Sequence, residues 1–238
     1  MKQLFSTEWK KVILANYIVP PEVVEKYLPK HTKLDFFNGN CYVSLVGYRY
    51  TKIKVADLKI PLIPDFEEID LRFYVKRFNG AGWRKGTVVI SRILNSPGLD
   101  KLGNALFQGN LSSMPTSEDV KETEKELDVK YSWQFEKDWK HLRVKSDKVA
   151  SPFEKNSESD FLLERPYVYQ QFGDDHTQET ELKHASWHTY PVEEYSLNVD
   201  FSKQFDPVFS ILNSATPQSV ILAEGSKVEI HKSQKITS

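Results

Sequence analysis

A single β-rich domain, closed or nearly closed on itself, is the fold class the sequence predicts, and three observations carry it. Apolar residues alternate, or run unbroken for the length of a strand, in about ten segments. Asn-Gly, Gly and Pro signals punctuate those segments at short intervals. Only two stretches keep clear helical spacing, and both are short and bounded by proline. A sheet of that many strands protects its edges by closing. No repeat and no linker divides the chain, so residues 1–238 are expected to form one domain.

Taken in order, Trp9 opens WKKVILANYIVP, an extended segment built on Val12, Ile13, Leu14, Ile18 and Val19 and stopped by Pro20 and Pro21. PPEVVEKYLP then reads as a short helix, with proline at its first position and Val23, Val24, Tyr27 and Leu28 as its apolar stripe. LDFFNGNCYVSLVGYRY reads as a hairpin about Asn38-Gly39, because both residues tolerate positive φ. Its second half, Cys41 to Tyr50, is apolar or aromatic at nearly every position, as in a strand covered on both faces. IPLIPDF leads into the strand Phe66 to Arg77, a turn at Asn79-Gly80 and Gly82 follows, and GTVVISRIL is a further buried strand. SPGLDKLGNALF reads as a second short helix capped by Ser96. Ser117 to Asp128 is so highly charged that a solvated loop or hairpin tip is expected. VKYSWQFEKDW and KHLRVKSD read as exposed strands with Tyr131, Trp133 and Phe135 on one face, and KVASPFEKNSESDF as a loop. FLLERPYVYQQ, ELKHASWHTYPVEEYSLNVD and SVILAEGSKVEIHK supply the last strands, with PVFSILN as a helical turn between them.

Composition narrows the function. A net charge of −1 makes no electrostatic case for nucleic acid or an anionic membrane. No run of 18 apolar residues and no signal-like N-terminus is present, so a soluble cytoplasmic protein is expected. The single cysteine, Cys41, has no disulfide partner and lies in a core-like strand. His184 and His188 share a strand face with Ser186 but show no third ligand, so no metal or cofactor is expected. Neither a GxSxG elbow nor a phosphate- or dinucleotide-binding glycine motif occurs.

What remains is FEEIDLRFYVKR. At the strand period, Ile69, Leu71, Phe73 and Val75 share one face, and Glu68, Asp70, Arg72 and Tyr74 share the other. From pattern alone this is an antiparallel strand with its charged row in water. Alternatively the row lines a cavity, its members roughly 7 Å apart. A second cluster, Arg165, Tyr167 and Tyr169, lies on a later strand.

The spacing Phe66-x-Glu68-x-Asp70-x-Arg72-x-Tyr74-Val75 resembles the FxExNxRxYV signature of the YqjF-like family. That is an uncharacterised bacterial group of the acetoacetate-decarboxylase-like superfamily. Trp9, Pro20-Pro21, Leu28-Pro29, Arg84-Lys85-Gly86, FLLERPYVY, Trp187 and SVILAEG extend the resemblance along nearly the whole chain. It implies a strongly curved antiparallel sheet closed into a cone-like barrel, with a few short helices and a central pocket that turns the polar row inward. Two departures bear on activity. The decarboxylases form a Schiff base on a lysine after a helix, and the corresponding stretch here, Gly109 to Pro115, has none. Asp70 replaces asparagine and adds a negative charge beside Glu68.

The expected partner is a small-molecule ligand, an organic acid or similar metabolite, with homo-oligomerisation left open. Glu68 and Asp70 are the candidate acid–base groups. Arg72, Tyr74, Arg165, Tyr167 and Trp187 are the candidate ligand contacts. A non-catalytic binding barrel, or a purely structural polar row, uses the same residues.

Overall fold

The computed structural model describes residues 2–55, 64–95, 111–173 and 176–236. Its first strand, β1 (Gln3–Val19), is followed by β2 (Lys33–Leu34), β3 (Cys41–Val55), β4 (Phe66–Phe78), β5 (Trp83–Leu94) and β6 (Leu111–Ser113). A run of antiparallel strands comes next: β7 (Thr116–Glu122), β8 (Glu126–Phe135) and β9 (Asp138–Asp147). Then come β10 (Ser151–Pro152), β11 (Tyr167–Phe172), β12 (His176–His184), β13 (His188–Tyr190) and β14 (Val192–Asn198). The last three are β15 (Ser219–Ala223), β16 (Lys227–His231) and β17 (Gln234–Ile236). Helices at Glu22–Glu25, Glu158–Leu163 and Phe201–Gln204 and a 3₁₀ helix at Pro207–Asn213 are short.

Seven strands close a ring in the order β1, β3, β4, β5, β11, β12, β16 and back to β1. The predicted mainly-β barrel with a few short helices is therefore observed. All contacts round the ring are antiparallel except the seam between β5 and β11, where Tyr167 pairs with Gly86 and Val168 with Thr87. Only glycine fits at position 86, because a Cβ there would lie 2.4 Å from the Tyr167 carbonyl oxygen. A bulge in β1 between Lys10 and Ile13 bends that strand, so its first part pairs with β16 and its later part with β15.

Two apolar cores follow from strand alternation. Inside the ring lie Trp9, Val12, Leu14, Tyr48, Tyr50, Phe66 and Tyr74. Outside it, Ile13, Leu45, Ile69, Leu71, Phe73 and Val75 pack with Tyr131, Trp133, Leu142 and Val144 of a second sheet, ordered β14, β9, β8, β7. One expectation is corrected here: β8 and β9 are not exposed strands, since Tyr131 and Trp133 are fully buried. Alternation marks one apolar face but does not say whether water or another sheet covers it.

Smaller corrections have local causes. Ser117 to Asp128 is mostly paired strand, an edge whose charges deter further pairing, with only its tip unpaired. The loop expected around Ser157 contains the helix Glu158–Leu163, whose Ser157 side chain accepts from the Asp160 N–H. The Asn38-Gly39 turn forms, with φ of 50° and 80°. Its leading strand β2 pairs with β4 instead of β3. Pro21 occupies the N-cap rather than the first helical position. The helix expected over 96–107 lies outside the described residues. No helix among the described residues is long and apolar enough to cross a membrane.

Candidate functional site

The pleat of β4 turns Glu68, Asp70, Arg72 and Tyr74 into the barrel. Asp70, fully buried, accepts from Arg72 Nε at 2.7 Å on one oxygen and from Arg72 Nη2 on the other, a two-pronged pair between same-face neighbours. Glu68 accepts from the Tyr48 hydroxyl at 2.9 Å, and the same oxygen lies 3.0 Å from Arg92 Nε on neighbouring β5. Tyr74 ends the row. Its hydroxyl lies 2.6 Å from Ser44 Oγ, whose own proton goes to Asn16 Oδ1, so Tyr74 is the donor.

A third arginine approaches from the chain entering β11. Arg165 Nη1 donates to Asp35 at 2.6 Å, and Nε donates to the Phe161 carbonyl. Its guanidinium lies 3.9 Å from the Phe161 ring centre and 5.2 Å from that of Tyr74. Lys76 holds the other Asp35 oxygen at 3.0 Å.

These arginines meet at a cavity of about 60 Å³ inside the barrel. Arg72, Arg92 and Arg165 line it together with Trp9, Tyr48, Tyr50, Trp187 and His184. Gln170, Gln178, Thr87, Thr180 and Ser233 add neutral polar groups, and Val12, Leu14, Leu182 and Ile230 complete an apolar wall. The volume exceeds what one water needs.

Burial and neighbours set the charges. Burial raises the Glu68 carboxyl above the usual carboxylate range, Asp70 adds to this, and Arg92 and Tyr48 oppose it. Burial disfavours the Arg72 cation, but the Asp70 carboxylate outweighs it and holds that guanidinium firmly charged. Burial likewise opposes ionisation of Asp35, yet Arg165 and Lys76 keep it below its ordinary value. The Tyr74 hydroxyl is pushed up to about 12 by burial and stays protonated.

A pH effect of stated sign follows for Glu68. A carboxyl whose folded pKa is raised favours folding below its unfolded pKa, and that contribution is lost as pH rises through the folded one. The stability difference between wild type and Glu68→Gln is therefore expected to fall as pH rises above about 4.3. Urea midpoints of both proteins from pH 4 to 8 check it; a constant difference contradicts the shift.

The predicted residues divide. Arg72, Arg165 and Trp187 line the cavity. Glu68 and Asp70 sit behind the arginines as their counterions, and Tyr74 is sealed beneath Arg165. Tyr167 is a correction. It faces outward with the second core, its ring 5.0 Å from the Arg84 guanidinium, because it alternates with the cavity-lining Val168. Tyr169 faces the same way and donates to Glu179 at 2.9 Å. Sequence reasoning missed Arg92, Trp9, Tyr48, Tyr50 and, as a cavity residue, His184. A charge inside the apolar run GTVVISRIL was the available signal for Arg92, and Tyr48 and Tyr50 at period two were another. His184 stacks on Trp187 with ring centres 4.5 Å apart, whereas His188 faces Glu224 at 3.5 Å. Among the described residues no three His, Cys, Asp or Glu side chains are grouped to hold a metal ion. Cys41 is buried, and burial pushes its thiol up to about 11.

A closed seven-stranded barrel with few helices is the acetoacetate-decarboxylase type of fold, and solved structures agree. The acetoacetate decarboxylase of Legionella pneumophila superposes with a TM-score of 0.64 at 10% identity, over 99% of this chain and 88% of that one. The enduracididine biosynthesis enzyme MppR, complexed with the condensation product of pyruvate and imidazole 4-carboxaldehyde, gives 0.65 at 9% identity, over 100% and 90%. An acetoacetate decarboxylase-like enzyme from Sphingomonas wittichii RW1 gives 0.63 at 11% identity, over 100% and 95%. At these identities the likeness is one of fold. The chain belongs to the DUF2071 family, described as "Uncharacterized conserved protein (COG2071)", which matches residues 6–227. No curated protein matches it.

Proposed function

We propose that this protein binds a small organic acid in the barrel cavity and that Arg72 receives its carboxylate. The observation that carries the reading is the state of Arg72. Asp70 fixes Nε and Nη2, and Nη1 has no acceptor among the described residues, on a side chain that lines the cavity and is 14% exposed. A guanidinium oriented by a buried carboxylate and left with one free edge is preorganised for a second carboxylate. Arg165 Nη2 and Trp9 Nε1 support it. Both are buried donors without an acceptor among the described residues, and both belong to cavity-lining side chains. The names of the fold relatives point to the same class, since acetoacetate and pyruvate are small oxo acids.

Within this reading Asp70 orients Arg72, both its oxygens being committed. Glu68 holds Arg92 through the oxygen that also accepts from Tyr48, and burial raises its carboxyl above the usual range. Binding rather than turnover is the proposed function, and within the family we place the chain in the YqjF-like branch. The described cavity wall contains no lysine, and Gly109 to Pro115 contains none either, so no Schiff base is expected.

Calorimetric titration tests this with acetoacetate, pyruvate and the neutral analogue pyruvamide. The acids are expected to bind at least about tenfold more tightly than the amide, as a charge-assisted pair requires. The double variant Asp70→Asn/Arg72→Gln, which leaves no orphaned charge, should lose the difference. Equal affinity for acid and amide sinks the reading. A borohydride-stable adduct in the intact mass would overturn the exclusion of a Schiff base.

A further inference from the structure

We infer that the acid this cavity takes carries a flat unsaturated or aryl body, so that its class is aryl-substituted oxo or carboxylic acids rather than acids as short as acetoacetate. The inference rests on the carboxylate reading of Arg72 and adds what the aromatic side chains of the cavity select. They form a chain of touching rings that starts beside Arg72, whose guanidinium lies 5.7 Å from the Tyr48 ring centre, and runs across the barrel. Trp9 lies 4.8 Å from Tyr48, 5.8 Å from Tyr50 and 6.0 Å from Trp187, and Trp187 stacks on His184 at 4.5 Å. All five rings line the cavity.

Trp187 and His184 lie far from Arg72. Arg72 is on β4, whereas His184 ends β12, which is three strands from β4 through β5 and β11 and four through β3, β1 and β16. No strand of a seven-membered ring lies farther from β4. A ligand anchored on Arg72 and filling the barrel therefore meets Trp187 and His184 with its other end. Val12, Leu14, Leu182 and Ile230 flank that path and offer no hydrogen bonds.

The aromatic wall is fixed rather than loosely packed. Trp187 Nε1 donates to Ser226 Oγ at 2.8 Å and the residue is only 5% exposed. His184 Nδ1 lies 2.8 Å from the Ala185 carbonyl, which can only accept, so the proton is on Nδ1 and the ring orientation is set. Rings held in this way favour a flat partner by offset or edge-to-face contact over an aliphatic one of equal area.

Titration of the full chain with phenylpyruvate, pyruvate and 3-cyclohexyl-2-oxopropanoate, followed by tryptophan fluorescence and calorimetry, tests the inference. Phenylpyruvate is expected to bind about tenfold or more tightly than pyruvate, and also more tightly than its cyclohexyl counterpart. His184→Ala, at a half-buried position, and Trp187→Leu should each bring the ratio of phenylpyruvate to pyruvate affinity towards one. The His184 variant keeps the test decisive if the Trp187 variant fails to fold. Pyruvate binding as tightly as phenylpyruvate overturns this inference and leaves the carboxylate reading standing. A phenyl advantage that survives both substitutions also overturns it. Failure of all three acids to bind removes both readings together.

Discussion

Replacing Arg72 with methionine is expected to lower folding stability by about 3–5 kcal/mol, because it strands Asp70 as an uncompensated buried charge. Asp70 is fully buried, and among the described residues its hydrogen-bond donors are Arg72 Nε and Nη2. The cost comes from the buried carboxylate left behind rather than from the ion pair itself. It follows that Asp70→Asn combined with Arg72→Met should recover most of the loss, since a neutral amide is far cheaper to bury than a carboxylate. Urea unfolding of wild type, single and double variants measures it. A midpoint unmoved by Arg72→Met would place the row in solvent, where an ion pair is worth well under about 1 kcal/mol. The cavity reading would then fail with it.

How far the sequence revealed this molecule depends on what each pattern encodes. Strand positions were readable because period two is a property of the backbone, and the Phe66–Phe78 alternation placed both faces of β4 correctly. Which environment each face meets was not readable. The same alternation describes Glu68 in water and Glu68 pressed against Tyr48 and Arg92, and only closure of the ring decides between them. For the same reason the strand that carries Trp133 between Lys130 and Gln134 read as exposed, although Trp133 packs against the barrel wall. Partners from distant strands escaped entirely. Arg165 finds Asp35 across 130 positions of chain, a juxtaposition no local spacing announces. Tyr167 went wrong through one step of parity, since its neighbour Val168 is the residue facing the cavity. A one-residue error at the start of a strand exchanges its two faces.

The outer sheet supports the barrel wall, and Trp133→Ala is expected to cost about 3–5 kcal/mol, the range for removing a large aromatic side chain from a packed core. Trp133 has no exposed surface, shares its core with Ile69, Leu71 and Phe73 of the site strand β4, and donates from Nε1 to Gln204 Oε1 at 2.6 Å. Its neighbour on the same face, Tyr131, fits so closely against β3 that a Cβ on Gly47 would come within 2.8 Å of its ring. Tyr131 also donates to the Lys11 carbonyl at 3.0 Å, tying β8 to the bulge of β1. The loss should come mainly from the cavity left behind, because the surrounding strands are hydrogen-bonded on both sides and collapse only partly. Trp133→Phe should cost less, though it still leaves Gln204 without its donor. Chemical denaturation of both variants measures the loss, and ligand titration of the folded protein supplies a second readout. Since the two cores lie on opposite faces of β4, carboxylate affinity should survive Trp133→Ala once folding is accounted for. A variant that keeps wild-type stability would show that the second sheet does not pack on the barrel as described, and one that stays folded but loses the acid would show that the outer core sets the Arg72 geometry.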